Sequence, residues 1–178
     1  MPDYPKRKQI RLENYDYSLN NAYFLTICTY ERQKLFGNIN LSTVGADPCV
    51  RPSEMHIIPE NAYFLAEKWI FKIEEKFPDY IVDSYVIMPD HIHLLIVKCN
   101  LAGGHMGPPL QDVVRWFKTQ MLNEYIRGVK ENKYLPYNKK FWQRSFYDHI
   151  IRNKQDMQET RRYIYENPLK IIGNMYGL

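Results

Sequence analysis

Two histidines one residue apart, His91 and His93, stand in the segment Pro89-Asp90-His91-Ile92-His93-Leu94-Leu95. Side chains alternate faces along a β-strand, so these two imidazoles point the same way while Ile92 faces the other side. Two imidazoles side by side form half of a divalent-metal site. The plain alternative is a pair of histidines on the solvated face of a half-buried strand. Apolar residues flank the pair on both sides, which favours a central strand, where a polar pair needs a purpose. A third histidine two residues on would suggest the alternating triad of a nucleotide hydrolase, but that position is Leu95.

The second segment with chemistry is Arg161-Arg162-Tyr163-Ile164-Tyr165-Glu166-Asn167-Pro168. On a helix Tyr163 and Asn167, four residues apart, share one face. A tyrosine hydroxyl can attack phosphorus and hold a covalent phosphotyrosine when a metal neutralises the phosphate oxygens. An amide oxygen one turn away completes such a metal's shell. Without context, a core tyrosine and an Asn-Pro helix stop explain the same residues.

The elements that must position these groups read as follows. Ala22 to Tyr30, β-branched and aromatic, is a buried strand. Glu31 to Lys34 is a turn, and Leu35 to Ile39 pairs back as a short strand. Residues 42–56 are a loop. Asn61 to Phe77 is a helix with Phe64, Leu65, Trp69, Ile73 and Phe77 at helical spacing and Pro78 as its stop. Tyr80 to Met88 and His91 to Lys98 form a hairpin about Pro89-Asp90. A second Gly/Pro loop precedes a helix over residues 111–127 with the apolar stripe Val114, Phe117, Met121 and Tyr125. Phe141 to Ile151 is a strand, and Lys154 to Asn167 is a helix closed by Pro168. The first six elements match a split βαβ, ferredoxin-like α+β arrangement: an antiparallel sheet with helices packed on it.

Composition narrows the function classes. The 178 residues are 45% hydrophobic, enough for one domain's core and against overall disorder. The domain is read as 1–178, with a core at about 22–170 and a basic lead-in at 1–21. No apolar run reaches the roughly 18 residues of a membrane span, and Met1-Pro2-Asp3-Tyr4 does not resemble a secretory leader. Cys28, Cys49 and Cys99 suggest neither a disulfide framework nor a zinc site. Residues 1–110 carry 11 Lys and Arg against 13 Asp and Glu, whereas residues 111–178 carry 13 against 7. A basic, aromatic-rich final third suits nucleic acid, with cations for phosphates and ring faces for unpaired bases. A solvated helical face explains the charge equally well.

Together PDHIHLLI, FWQRSFYDHIIRN and RRYIYENPLK resemble the REP-associated tyrosine transposases, relatives of the single-strand insertion-sequence transposases in the HUH nuclease superfamily. The resemblance runs from about Tyr23 to Lys170. It implies a ferredoxin-like domain that cuts single-stranded DNA beside a palindromic hairpin through a 5′-phosphotyrosine, leaving a free 3′ hydroxyl. It also implies that His91, His93 and Asn167 hold a divalent metal, Mg or Mn, and that Tyr163 is the nucleophile, with Tyr165 and Tyr147 as alternatives. Arg144 matches a phosphate contact. Further DNA-contact candidates are Arg115, Lys118, Arg127, Lys139, Lys140, Trp142, Arg161 and Arg162. The implied partner is single-stranded hairpin DNA, the implied assembly a monomer or homodimer, and the implied location the cytoplasm, at the nucleoid. Two other readings compete: a hairpin-binding regulator that does not cleave, and a phosphoesterase that uses activated water.

The two Gly/Pro loops have related codon possibilities. Gly103 to Pro108 can be written GGCGGACACATGGGTCCG, and the reverse complement read in a shifted frame encodes Asp47-Pro-Cys-Val-Arg51. Copies of one palindromic repeat inserted in opposite orientations would produce both loops. GC-rich Gly, Pro and Arg codons matching by chance are the alternative, and the gene's nucleotide sequence decides between them.

Overall fold

The computed structural model describes residues 21–37, 62–99 and 107–176. In chain order they form β1 (Ala22–Cys28), a 3₁₀ turn η1 (Tyr30–Arg32), α1 (Tyr63–Lys76), β2 (Tyr80–Met88), β3 (His91–Lys98), α2 (Leu110–Lys130), β4 (Tyr147–Ile150) and α3 (Lys154–Tyr176). The four strands make one sheet in the order β2-β3-β1-β4, with every neighbouring pair antiparallel. β3 is thus inserted between β1 and β2, which run parallel and are joined through α1. This is the split βαβ of the ferredoxin-like fold expected from the sequence.

Alternation along β1 and β3 gives the sheet two different faces. Tyr23, Leu25, Ile27, Ile92, Leu94 and Ile96 point into the main core, where α1 supplies Leu65, Ala66, Ile70 and Ile73 and α2 supplies Val113, Val114, Phe117, Met121 and Tyr125. The opposite face carries Phe24, Thr26, His91, His93 and Leu95. α3 covers it through a much smaller apolar contact of Leu95, Ile151 and Ile164, flanked by Phe24, Val86 and Met157.

Helix ends follow local chemistry. α1 stops at Phe77, which precedes Pro78 and is held extended at φ −127°. α2 ends on Asn132 in the left-handed region, φ 58°, with Lys133 N–H bonded to Gly128 O at 2.8 Å. The side chain of Asn153 accepts the Asp156 N–H at 2.9 Å and caps α3.

Three sequence expectations need correction. Leu35 and Phe36 form a turn instead of starting a strand. The Leu35 N–H bonds to Gln33 O and the Phe36 N–H to Pro89 O, while the Phe36 ring packs on Trp142. The strand expected over 141–151 is reduced to Tyr147–Ile150 plus an isolated bridge between Thr29 and Trp142, because Phe146 turns into the core between them. Pro168 does not close the last helix but lies inside α3. Its fixed φ near −65° is a helical value, although an interior proline forfeits one backbone bond and crowds the carbonyl four residues back. The loop expected at 42–56, the lead-in before residue 21, and the Gly/Pro segments up to residue 106 lie outside the described residues.

Candidate functional site

β3 sets the histidines. His91 and His93 sit on the α3 face of the sheet, opposite Cys28 and Thr26 of β1 and Met88 and Val86 of β2. Their Nε2 atoms lie 3.1 Å apart. The other nitrogens are engaged: Nδ1 of His91 with Asp90 Oδ1 at 2.5 Å, Nδ1 of His93 with Thr26 Oγ1 at 2.9 Å. A ring whose Nδ1–H is held by an acceptor presents the lone pair of Nε2, the state a metal ligand needs. His93 is 4% exposed. Burial, reinforced by the neighbouring His91 charge, lowers its pKa to about 3 against a hydrogen bond with the Leu25 backbone, so the imidazole is neutral at ordinary pH.

α3 brings the tyrosine. The Tyr163 hydroxyl is 3.5 Å from His93 Nε2, and its ring stands edge-on to both His93 and Phe24. Phe24 in turn stacks on His93 at 5.1 Å. Tyr163 is 43% exposed, so the residue borders solvent while its hydroxyl faces the histidines. Lys170 Nζ lies over the ring, 5.8 Å from its centroid.

Two polar clamps fix α3 across the sheet. On the β2 edge, Arg161 donates from Nε and Nη2 to the two carboxylate oxygens of Asp83 at 2.9 and 2.5 Å. Asp83 falls between Val82 and Ser84, where the register of β2 against β3 shifts, and this bulge turns its side chain toward the helix. On the β4 edge, His149 Nε2 lies 3.0 Å from both oxygens of Asp156. The Asp156 carboxyl is held below the usual carboxylate range, chiefly by the Arg152 N–H it accepts.

The donor set fits a divalent ion. Two imidazole nitrogens 3.1 Å apart match the edge of a coordination shell with metal–nitrogen bonds of roughly 2.1 Å. Among the described residues no group of three or more His, Cys, Asp and Glu side chains is gathered for a metal. An amide oxygen is a donor type outside that group, and the one nearest in sequence to the tyrosine belongs to Asn167. Asn167, partly buried one turn beyond Tyr163 on α3, offers an amide oxygen on the tyrosine's face of the helix.

Comparison with known proteins places the chain in a family. A family model described as "Transposase IS200 like" matches residues 57–167. The chain belongs to the IS200-like transposase family. Among relatives of this chain, a Haemophilus influenzae protein named only as uncharacterized is 27% identical over 172 residues, covering 92% of this chain and 88% of that one. Another from the same organism, whose name assigns it to the REP-associated tyrosine transposases, is 33% identical over 87 residues. That match spans 47% of each chain, about half the relative's length. The fold resembles the solved structure of a REP-associated tyrosine transposase bound to a REP hairpin, with a TM-score of 0.57 and 22% identity over 90% of this chain and 74% of the other.

The remaining sequence candidates are scattered over the structure. Tyr165, 56% exposed, is two residues from Tyr163 and so projects from a different side of α3. Tyr147, 53% exposed, lies on the histidine face but pairs with Thr26 on β4, two strands from His93. Trp142 is corrected: at 7% exposure it belongs to the main core, its indole N–H bonded to Lys118 O at 3.1 Å, and it offers no face to a base. Lys118 is corrected with it, since its Nζ bonds to Gln143 O at 2.6 Å and burial depresses its pKa to about 8. Arg161 is occupied by Asp83. Arg115 and Arg127 are exposed on α2, across the sheet from the histidines, with Arg115 paired to Asp112. Lys139, Lys140, Arg144 and Arg162 are exposed. Cys28 and Cys99 are free thiols, and no described helix is long and apolar enough to cross a membrane.

Sequence reasoning missed Thr26, Phe24, Arg32 and Asp90 as site residues. Asp90 was visible only as a turn residue. Arg32, from η1, places Nη1 3.1 Å from His91 Nδ1 and 3.5 Å from Asp90, a contact across 59 residues that no local motif announces.

Proposed function

We propose that this transposase cuts and rejoins single-stranded DNA beside hairpin repeats, with Tyr163 as nucleophile and His91, His93 and Asn167 as ligands of Mg or Mn. The observation that carries the reading is the convergence of the Tyr163 hydroxyl and the two histidine Nε2 atoms within 3.5 Å steps on one sheet face. A divalent ion bound there would supply positive charge to the scissile phosphate and lower the barrier to phenolate attack. Tyr163 oxygen attacks phosphorus, the 3′ oxygen leaves and takes up a proton, and the 5′ phosphate stays joined to the tyrosine. Rejoining reverses these bonds, so the phosphodiester energy is conserved and no nucleotide cofactor is needed. Phe24 and His93 hold the tyrosine ring by its edges, while Asp90 and Thr26 hold the imidazoles, so little reorganisation remains for the chemical step. Hairpin DNA as the partner draws support from the family and from the hairpin in the REP-associated relative's structure.

The test is a denaturing gel with labelled hairpin DNA and Mg or Mn. A denaturant-resistant protein–DNA adduct that vanishes in Tyr163→Phe supports the reading. Cleavage that survives Tyr163→Phe would point to water or another tyrosine as nucleophile. Binding of hairpins with no adduct under any metal would leave a non-cleaving regulator.

A further inference from the structure

The corner where β1 ends is held in a costly backbone conformation. Four non-glycine residues among those described have positive φ, and three of them, Glu31 (52°), Arg32 (56°) and Lys139 (56°), meet here. Such conformations cost energy and persist where the surroundings enforce them, often at working sites. The enforcer is Gln33. Its Nε2 donates to Tyr30 O at 2.9 Å, Asn138 O at 3.0 Å and Lys140 O at 3.2 Å, and its Oε1 accepts the Asn138 N–H at 2.8 Å. One neutral side chain thus ties η1 to the segment after α2 over more than a hundred residues of sequence. Thr29 anchors the same corner to the tip of the β2–β3 hairpin, its Oγ1 lying 2.9 Å from Asp90 O and its N–H 3.0 Å from it.

The result is a run of cations leading to the histidines. Arg32 reaches His91 and Asp90, Lys34 is exposed beside Gln33, and Lys140 Nζ lies over the Tyr30 ring at 5.8 Å with Lys139 next to it. Glu31 and Asp90 are the carboxylates within these segments, so positive charge prevails. η1 itself buries no residue, so its side chains stay at the surface while Tyr30 N–H bonds to the buried Phe141 O at 2.8 Å. Lysines on an ordinary surface loop would need neither the strained backbone nor a shared amide brace.

We infer that this corner is a phosphate-binding track for the single strand that runs into the Tyr163–His91–His93 site, with Arg32, Lys139 and Lys140 contacting backbone phosphates and Gln33 setting their spacing. The inference rests on the proposed DNA-cutting function and adds where the strand lies outside the hairpin.

The experiment measures binding of two labelled DNAs, a hairpin with a single-stranded flank on the cut side and the same hairpin without it, across a range of NaCl concentrations. Lys139→Ala/Lys140→Ala should weaken binding of the flanked DNA and lower its log Kd against log salt slope by about 0.7 per lost contact, leaving the flankless hairpin unaffected. Gln33→Leu, which changes no charge, should also abolish the preference for the flank. Equal weakening on both DNAs, or an unchanged preference in all variants, overturns the track. Wild-type protein that binds hairpins and forms the adduct while the variants keep their flank preference refutes only this inference. Wild-type protein that binds neither DNA sinks the proposed function along with it.

Discussion

Thr26→Val tests the histidine geometry at its least obvious support. The substitution keeps the shape and the β-branching that suit a strand, and removes only the hydroxyl 2.9 Å from His93 Nδ1. With His93 4% exposed, water has little room to replace that partner. A buried polar group stripped of its partner costs about 1–3 kcal/mol. The ring keeps its hydrogen bond with the Leu25 backbone, which places the loss near the lower end, about 1.4 kcal/mol or tenfold in an equilibrium constant. Loss of outer-shell partners of metal-binding histidines costs roughly 10–100-fold in metal affinity or activity, and the two figures overlap. The expectation is therefore a Mn concentration for half-maximal adduct formation raised about tenfold, with much of the rate recovered at saturating Mn. Titrating Mn against parent and variant, with adduct quantified on denaturing gels, reads this directly. An unchanged Mn dependence would refute the argument that Thr26 fixes the ligand ring. A rate loss that saturating Mn does not repair would shift its role from the metal to the tyrosine.

Other outcomes follow from the same geometry. His91→Ala should abolish adduct formation while hairpin binding measured by anisotropy stays within a few-fold of the parent; full activity would remove His91 from the site. Arg161→Ala should slow adduct formation with little change in thermal stability, because an exposed ion pair contributes about 0–1 kcal/mol; the exchanged pair Asp83→Arg with Arg161→Asp should restore part of the rate, and failure of both would deny the clamp. Lys118 has a folded pKa of about 8, well below its ordinary 10.5, so between those values the unfolded chain binds more protons and this residue's contribution to stability rises with pH. Lys118→Met should accordingly lose ground to the parent in melting temperature from pH 7 to pH 10, and a constant difference would contradict the burial of that ammonium.

Where sequence pattern maps onto a period, the fold was legible. The helical spacing of Leu65, Ile73, Val114, Phe117 and Met121, and the alternation through His91 and His93, correspond to the observed core and to the shared face of the pair. What failed were features fixed by contacts distant in sequence. Trp142 has the composition of a base-stacking residue, and only the arrival of α2 and Phe36 buries it. Pro168 reads as a stop because its missing N–H is a local fact, whereas continuation of α3 is not. The positive φ of Arg32 is imposed by Gln33 and the segment after α2, and nothing in an Arg residue advertises it.

The unequal coverage of the two sheet faces governs how the molecule opens. α1 and α2 share a large apolar core with the sheet, whereas α3 holds on by Ile164, its few apolar neighbours and two polar clamps. Partial unfolding proceeds through the region with least buried contact, so α3 is the layer that peels first while the histidines stay seated on an intact sheet. Amide exchange should show α3 protons lost in a low-energy opening and those of β1 and β3 only in global unfolding. Under the proposed function, with Tyr163 on α3 as nucleophile, the fraction of time α3 is docked scales the rate, so substitutions at Met157 or Ile164 would register as kinetic defects.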